Sequence, residues 1–212
     1  MSTRVLIVDD HPLLRRGISQ LLDLEADMTC AGESSSGKEA LDMATELEPD
    51  LILLDLNMQG MTGVETLRAL RENGVEACIV MLTVSDSEDD LTASLRAGAN
   101  GYLLKDMEPE ALLTQLRRAA AGEVVISEAL TSSLARALTK GRESNAPGID
   151  RLTAREREIL RHLARGESNK TIARNLGITE GTTKVHVKNL LKKMAFRSRV
   201  EAAVWAVQNE LK

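Results

Sequence analysis

Five side chains carry the chemistry of the first half of this 212-residue sequence: Asp9, Asp10, Asp55, Thr83 and Lys105. Each stands at the end of a short apolar run. Val5–Val8 ends in Asp9-Asp10, Leu51–Leu54 in Asp55, Cys78–Leu82 in Thr83 and Gly101–Leu104 in Lys105. Three carboxylates brought to one place repel each other unless a cation sits among them. Oxygen-only ligands favour a hard ion such as Mg²⁺, which keeps several waters and takes few protein ligands. A hydroxyl and an ammonium facing that cluster offer donors to the oxygens of a phosphoryl group. Taken singly, each is an ordinary solvated loop residue. At successive strand ends, the five make a site.

The elements that must position them follow from periodicity. Pro12–Leu22 has apolar residues at helical spacing (Leu13, Leu14, Ile18, Leu21, Leu22), and Gly37–Leu47 turns Ala40, Leu41, Ala44 and Leu47 inward. Met28–Ala31 reads as a second strand, and Leu51–Leu54 has no polar interruption, as suits a strand covered on both faces. With helices at Val64–Glu72, Asp89–Ala97 and Glu108–Ala121, strand and helix alternate five times. That order predicts an α/β doubly wound, five-stranded parallel sheet, flavodoxin-like, whose ligands sit beyond the carboxyl ends of the strands.

The second half has a different chemistry. Residues 1–140 hold 12 Lys+Arg against 24 Asp+Glu, a net of −12, while residues 141–212 hold 15 against 8, a net of +7. Such a split predicts one part suited to cations and one to polyanions. Between them, Ser127–Leu138 reads as an extra amphipathic helix, and residues 139–150, with Gly141, Pro147 and Gly148, read as a linker. Thr153-Ala154-Arg155-Glu156 is a capping box, so a helix runs from about Ala154 to Ala164, burying Ile159, Leu160 and Leu163. A short helix at Asn169–Leu176, a turn at Gly177-Ile178-Thr179 and a longer helix at Glu180–Lys193 make a separate all-α helix-turn-helix domain, closed by a helix at Ser198–Gln208.

On the longer helix Val187, Leu190, Leu191 and Met194 face inward, while Lys184, Lys188 and Lys192, with Val185 beside the first, form an exposed stripe. In the major groove, lysines reach guanine acceptors or phosphates and an apolar neighbour meets a thymine methyl. Ser168, Asn169, Lys170, Arg174, Thr183 and Lys193 are the expected phosphate anchors. No uninterrupted apolar run spans a bilayer, and Asp9-Asp10 breaks the first apolar stretch too early for a signal peptide, so a cytoplasmic protein without membrane contact is expected. Cys30 and Cys78 lie in apolar surroundings and read as small buried side chains. Three aromatics in all leave both cores to aliphatic residues.

Val8-Asp9-Asp10-His11, Leu53-Leu54-Asp55-Leu56-Asn57-Met58, Leu82-Thr83 and Lys105 resemble the receiver domain of two-component response regulators, over residues 3–122. The resemblance implies that Asp55 is the phospho-acceptor. It also implies that Asp10, Asp55 and the main-chain carbonyl of Asn57, assisted by Asp9, bind Mg²⁺. Thr83 and Lys105 then contact the phosphoryl oxygens, and Tyr102 is the aromatic that changes rotamer on activation. Two positions depart from the pattern. Gln59 replaces a common Pro, and Asp106 stands where Pro often follows the strand-5 Lys, which leaves the geometry of the Lys105-Asp106 bond open.

Leu152-Thr153-x-Arg155-Glu156, Asn169-Lys170-x-Ile172-Ala173 and Thr183-Lys184-Val185-His186-Val187 resemble the LuxR/FixJ type of DNA-binding domain. Together the halves resemble the NarL/FixJ family, with a receiver at 3–122, a connecting helix and linker at 123–150 and the reader at 151–212. Gly101–Glu110, Lys192-Lys193-Met194 and Ser198–Trp205 are most similar to its nitrate/nitrite-responsive members. The family resemblance implies a sensor histidine kinase as donor, paired half-sites of double-stranded DNA, RNA polymerase as a further candidate partner, and transcriptional regulation without enzymatic turnover. It further implies that the unphosphorylated receiver covers the recognition helix, and that phosphorylation gives a homodimer through Val200, Ala203, Val204 and Val207. Two rivals remain. One is a Mg²⁺-dependent phosphatase working through an aspartyl-phosphate, against which Asn57 stands where such enzymes place a second acid. The other is a transcription factor that ignores phosphorylation.

Overall fold

The computed structural model describes residues 2–130, 149–196, 198–209 and 211; residues 131–148, which hold most of the expected connecting helix and linker, lie outside them. The first part runs β1 (Thr3–Val8), α1 (Pro12–Asp23), β2 (Met28–Ser34), α2 (Gly37–Leu47), β3 (Leu51–Asp55), α3 (Gly63–Glu72), β4 (Cys78–Thr83), α4 (Glu88–Ala97), β5 (Gly101–Leu104), α5 (Pro109–Ala120) and β6 (Val125–Ile126). All strands pair in parallel, in the order β2-β1-β3-β4-β5-β6. The direction of winding reverses between β1 and β3, and there a parallel sheet opens a crevice at its carboxyl edge. Asp9-Asp10 leaves β1 and Asp55 ends β3 at that point.

The uninterrupted apolar strands are explained by the two faces they serve. Leu6, Val8, Ile52, Leu54, Ile79, Met81 and Tyr102 join one core, while Val5, Ile7, Leu51, Leu53, Val80, Leu82 and Leu103 join the other. Strict alternation along β1, β3 and β4 fills both, since successive side chains point to opposite faces. Each fully buried Leu or Ile contributes roughly 1.5–3 kcal/mol. Shifting one strand by a residue would exchange its two sets of side chains between the faces.

The sheet has six strands where five were expected. Val125 and Ile126 pair with Gly101 and Tyr102, and Ser127 Oγ accepts from Leu104 N at 3.0 Å, so the outer edge of β5 is covered. An uncovered β5 would present unpaired backbone groups. Beyond β6 the expected connecting helix begins with only a short 3-10 turn, Glu128–Leu130.

Two turns at the opposite, amino-terminal edge of the sheet are fastened by one side chain. Arg71 donates to Val75 O at 2.7 Å, Ala77 O at 2.9 Å, Gly98 O at 3.0 Å and Asn100 Oδ1 at 2.6 Å. Asn100 Oδ1 also accepts from Ile79 N.

The second part is helical: α6 (Ala154–Ala164), α7 (Asn169–Leu176), α8 (Glu180–Lys193) and α9 (Arg199–Gln208). Gly177 ends α7 with φ +64, a conformation that favours glycine, and Thr179 caps α8 by accepting from Thr182 N. Leu160, Ile172, Val187, Leu190 and Met194 share the core, flanked by the Phe196 and Trp205 rings at 5.8 Å. A unit of this size buries little surface, so polar clamps matter. The predicted capping box supplies one. Glu156 accepts from Thr153 N at 2.8 Å and from Lys193 Nζ at 2.7 Å, tying the start of α6 to the end of α8.

Two predictions follow from this packing. A Cβ at Gly63 would lie 2.1 Å from Asp55 O and 2.7 Å from Leu56 Cα, both backbone. Gly63→Ala should therefore cost about 1–3 kcal/mol in chemical denaturation. Burial pushes the Glu156 carboxyl up, but its bonds to Lys193 and Thr153 outweigh this and hold it below 4.5. Its contribution is thus present above pH 4.5 and lost as pH falls through the lowered value. Glu156→Gln should lower stability at pH 7 and flatten the acid side of the stability curve.

Candidate functional site

Four of the five strand-end side chains meet, and Thr83 is joined to Lys105 through its main-chain carbonyl, which accepts from Lys105 N. Lys105 Nζ stands 2.8 Å from Asp9 Oδ2 and 2.9 Å from Asp55 Oδ2, bridging the ends of β1 and β3. Asp9 and Asp55 are both 2% exposed, and Asp10 sits at the rim with Oδ2 accepting from Gln59 N at 3.1 Å. Asp9, Asp10, His11 and Asp55 each place one ligand atom within 4.8 Å of the others. His11, unassigned from the sequence, lies with Nδ1 2.9 Å from Asp10 Oδ1 and 3.2 Å from Asp9 Oδ1.

One ammonium serves two buried carboxylates, and the titration behaviour reflects this. Burial pushes the Asp55 carboxyl above its usual range, and Lys105 offsets only part because Asp9 adds repulsion. Lys105 moves upward too: burial lowers it, but the bonds to Asp9 and Asp55 prevail. The directions agree once the sharing is counted, since negative charge at Asp55 is under-compensated. Asp55 Oδ2 and Asp10 Oδ1 are buried and accept no well-formed hydrogen bond. Buried carboxylate oxygens that share one ammonium and one imidazole, without a well-formed bond at Asp55 Oδ2 or Asp10 Oδ1, fit a hard divalent cation.

Thr83 is fully buried, and its Oγ1 accepts from Ser85 N at 3.1 Å. Tyr102 is buried as well, donating its hydroxyl to Ser85 O at 3.1 Å, and burial pushes the phenol to about 12. Both side chains therefore fasten to one residue of the β4–α4 loop. Asn57 is exposed on the loop after β3, and Gly60 beyond it has φ +82. No cis peptide bond occurs among the described residues, so Lys105-Asp106 is trans. The thiol of Cys78 is pushed to about 12 by burial, and both cysteines are free.

On the helical part, Lys184, Val185, Lys188 and Lys192 are exposed along α8, as are Lys170 and Arg174 on α7. Four expected phosphate anchors are instead engaged within the helical part, three of them buried and Lys193 exposed. Ser168 caps α7, Asn169 Oδ1 accepts from Arg199 at 3.2 Å, Thr183 is fully buried and donates to Thr179 O, and Lys193 is held by Glu156. In this arrangement their polar atoms are spent within the chain. The exposed face of α8 stands against the amino-terminal edge of the sheet, where Lys188 Nζ lies 2.5 Å from Glu76 Oε1. Val200 is buried in the core that holds Leu91, Leu95 and Leu130, and Val204 packs on it. Ala203 lines the helical core, and Val207 alone of the expected pairing residues is well exposed.

The sequence held no local sign of Glu76, whose partner Lys188 lies in the other part of the chain, or of Arg199, whose partners stand far from it in sequence within the helical part. Arg199 is 6% exposed and donates to Asn169 and to Glu167 O at 2.7 Å. Glu156 was legible as a cap and not as the partner of Lys193.

Residues 5–117 match the response regulator receiver domain, and residues 150–206 match the luxR family of bacterial regulatory proteins. The chain is 54% identical over 207 residues to the nitrate/nitrite response regulator protein NarL of Escherichia coli (strain K12), covering 98% of this chain and 96% of that one. It is 49% identical to the nitrate/nitrite response regulator protein NarP of the same organism, covering 97% and 94%. Among solved structures, the response regulator ChrA of a heme-sensing two-component system is 34% identical with a TM-score of 0.54, covering 100% of this chain and 99% of its own.

If Lys188 and Glu76 help to seat α8, charge reversal will show it. Glu76→Lys and Lys188→Glu should each raise the open fraction about two- to fivefold, and the double variant should return toward the original value. The size is that of an exposed ion pair, and the distance between a label on α3 and one on α9 measures it. Equal opening in all three variants would exclude the pair as a determinant.

Proposed function

The chain belongs to the response regulators that join a receiver to a luxR-type DNA-binding domain, and on that premise we propose that Asp55 receives a phosphoryl group from a sensor histidine kinase and so frees the reader for DNA. The observation that carries this reading is Lys105 held between Asp9 and Asp55 at the edge of the sheet. In the transfer, the nitrogen–phosphorus bond of a kinase phosphohistidine breaks as an Asp55 oxygen bonds to phosphorus. The departing ring nitrogen keeps the bonding pair, and the kinase histidine ends neutral with one proton on the ring, carried on its other nitrogen or taken from water.

Asp9, Asp10, Asp55 and the main-chain carbonyl of Asn57 would hold Mg²⁺, which when bound supplies positive charge for the phosphoryl oxygens. Lys105 keeps Asp55 oriented and favours its charged form, and is near enough to follow the charge onto the phosphoryl group. Phosphorylation adds about −1.5 to −2 charge at a pocket already short of cations. Thr83 and Tyr102 both reach Ser85, so a pull on the Thr83 hydroxyl is felt by the loop that leads into α4. Val200 of α9 is packed in the core that includes α4 residues, which supports a route from the site to the reader.

In the unphosphorylated state the receiver covers α8, and the net −12 of the first 140 residues facing the net +7 of the remainder favours that closure. Once free, Lys184, Val185, Lys188 and Lys192 enter the major groove, with Lys170 and Arg174 on phosphates. Ser168, Asn169, Thr183 and Lys193 join as anchors only if release re-aims them. Release also uncovers Val200 and Val204, which with Ala203 and Val207 form the pairing surface of a homodimer on paired half-sites. RNA polymerase is the further partner of such a dimer. No described helix is long and apolar enough to cross a membrane, and the cytoplasm is the compartment proposed. Likeness to the nitrate/nitrite regulators supports nitrate and nitrite as the inputs.

Asp55→Asn should abolish phosphoryl transfer from the kinase and any rise in DNA affinity above twofold. Chelating Mg²⁺ should stop the transfer in the unaltered chain. A full response of Asp55→Asn in a gel-shift assay with kinase and ATP would sink the proposal.

A further inference from the structure

Between α8 and the sheet edge lies a cavity of about 570 Å³ with an unusual balance of charge. Its lining includes Arg71, Lys184, Lys188, Lys192 and Arg199, against only Glu76 and Glu123. Lys188 is spent on Glu76, Lys184 faces Glu180 at 3.7 Å, and Glu123 is engaged by Arg118 at 2.8 Å. The two guanidiniums bond to neutral acceptors. Arg71 donates to three carbonyls and the Asn100 amide, and Arg199 to Asn169 Oδ1 and Glu167 O. Arg199 is 6% exposed, and its buried Nε has no hydrogen-bond partner among the described residues.

A buried cation needs a counter-charge, or it carries its desolvation cost uncompensated. Burial lowers both Arg71 and Arg199 to about 10, with Cys78 and the neighbouring glutamates offsetting only part of the loss. The cavity is large enough to admit an anion of several heavy atoms, and guanidinium and ammonium donors suit the oxygens of a phosphoryl group. Gly122, with φ +82, lies so close to Arg199 and Asn169 that a Cβ there would meet them at 2.8 and 2.9 Å. The receiver wall is therefore fitted closely around the Arg199 end of the cavity.

We propose that this cavity binds a small phosphate-type oxyanion through Arg199, Lys192 and Lys184. Because its walls belong to both parts of the chain, the anion binds only when the reader is seated. By linkage it favours the seated state and opposes DNA binding by the same factor. The site thus gives the regulator a second input, independent of Asp55, that reports the level of a free phosphate or phosphorylated small molecule. Lys184 and Lys192 serve the anion in one state and DNA in the other.

The test is isothermal titration of the full unphosphorylated chain with inorganic phosphate and, separately, pyrophosphate, at ionic strength held constant with chloride. Saturable binding of one anion per chain is expected. Arg199→Gln should weaken it at least tenfold and Lys192→Gln at least threefold, whereas Glu123→Gln should tighten it. If Arg199→Gln fails to fold, the opposite signs at Lys192 and Glu123, both at the rim, still decide. Tighter binding of pyrophosphate than phosphate points to a phosphorylated metabolite, and the reverse to free phosphate. Heats that do not saturate against chloride, or affinities unchanged in Lys192→Gln and Glu123→Gln, overturn the proposal. The measurement needs no phosphorylation, so its failure leaves the role of Asp55 untouched.

Discussion

A single ammonium between two buried carboxylates is the constraint around which the receiver is built. Lys105 arrives from β5, Asp9 from β1 and Asp55 from β3, so no two of the three groups share a strand. At an effective dielectric of about 20, two unit charges 4 Å apart interact by roughly 4 kcal/mol. Without the cation, burial and the neighbouring Asp9 would oppose the charge on Asp55 unrelieved, and without the two carboxylates burial alone would act on Lys105. Strand order, register and the alternation of two aliphatic cores all serve to bring these ends together. The arrangement remains short of positive charge, and that shortage makes it receptive to a divalent ion.

Much of this was legible from residue order alone. Apolar runs ending in Asp, Asp, Thr and Lys announced both the parallel sheet and its loaded edge, because a strand buried on two faces has no freedom to carry polar residues except at its end. The capping box at Thr153 and the turn at Gly177 were equally local signals, and the helices they bound stand where the periodicity put them. Val125-Ile126 was not legible as a strand. Two residues carry no periodicity, and their pairing depends on the exposed edge of β5. Four expected phosphate anchors are engaged by other side chains or backbone of the helical part for a similar reason. Nothing in the spacing of Asn169 or Lys193 reveals that Arg199 and Glu156 stand opposite them.

Charge segregation along the chain acts through geometry as well as through net sign. The basic helix rests on the amino-terminal edge of the sheet, across the domain from the acidic pocket. Ligand at one edge and reader at the other do not compete for space. They are joined instead through the body of the sheet and through α4, whose residues belong to the same core as Val200. A switch of this kind can act at full domain width because packed cores move between discrete arrangements and do not deform smoothly.

Arg71 gives that body a mechanical property of its own. Its guanidinium holds the turn before β4 and the turn before β5 at once, with Glu76 carried on the first and the end of α4 leading into the second. The two turns therefore form one rigid plate with a single pivot, since neither can shift without breaking several bonds to the same planar group. A tilt of α4 becomes a tilt of the whole seat under the reader.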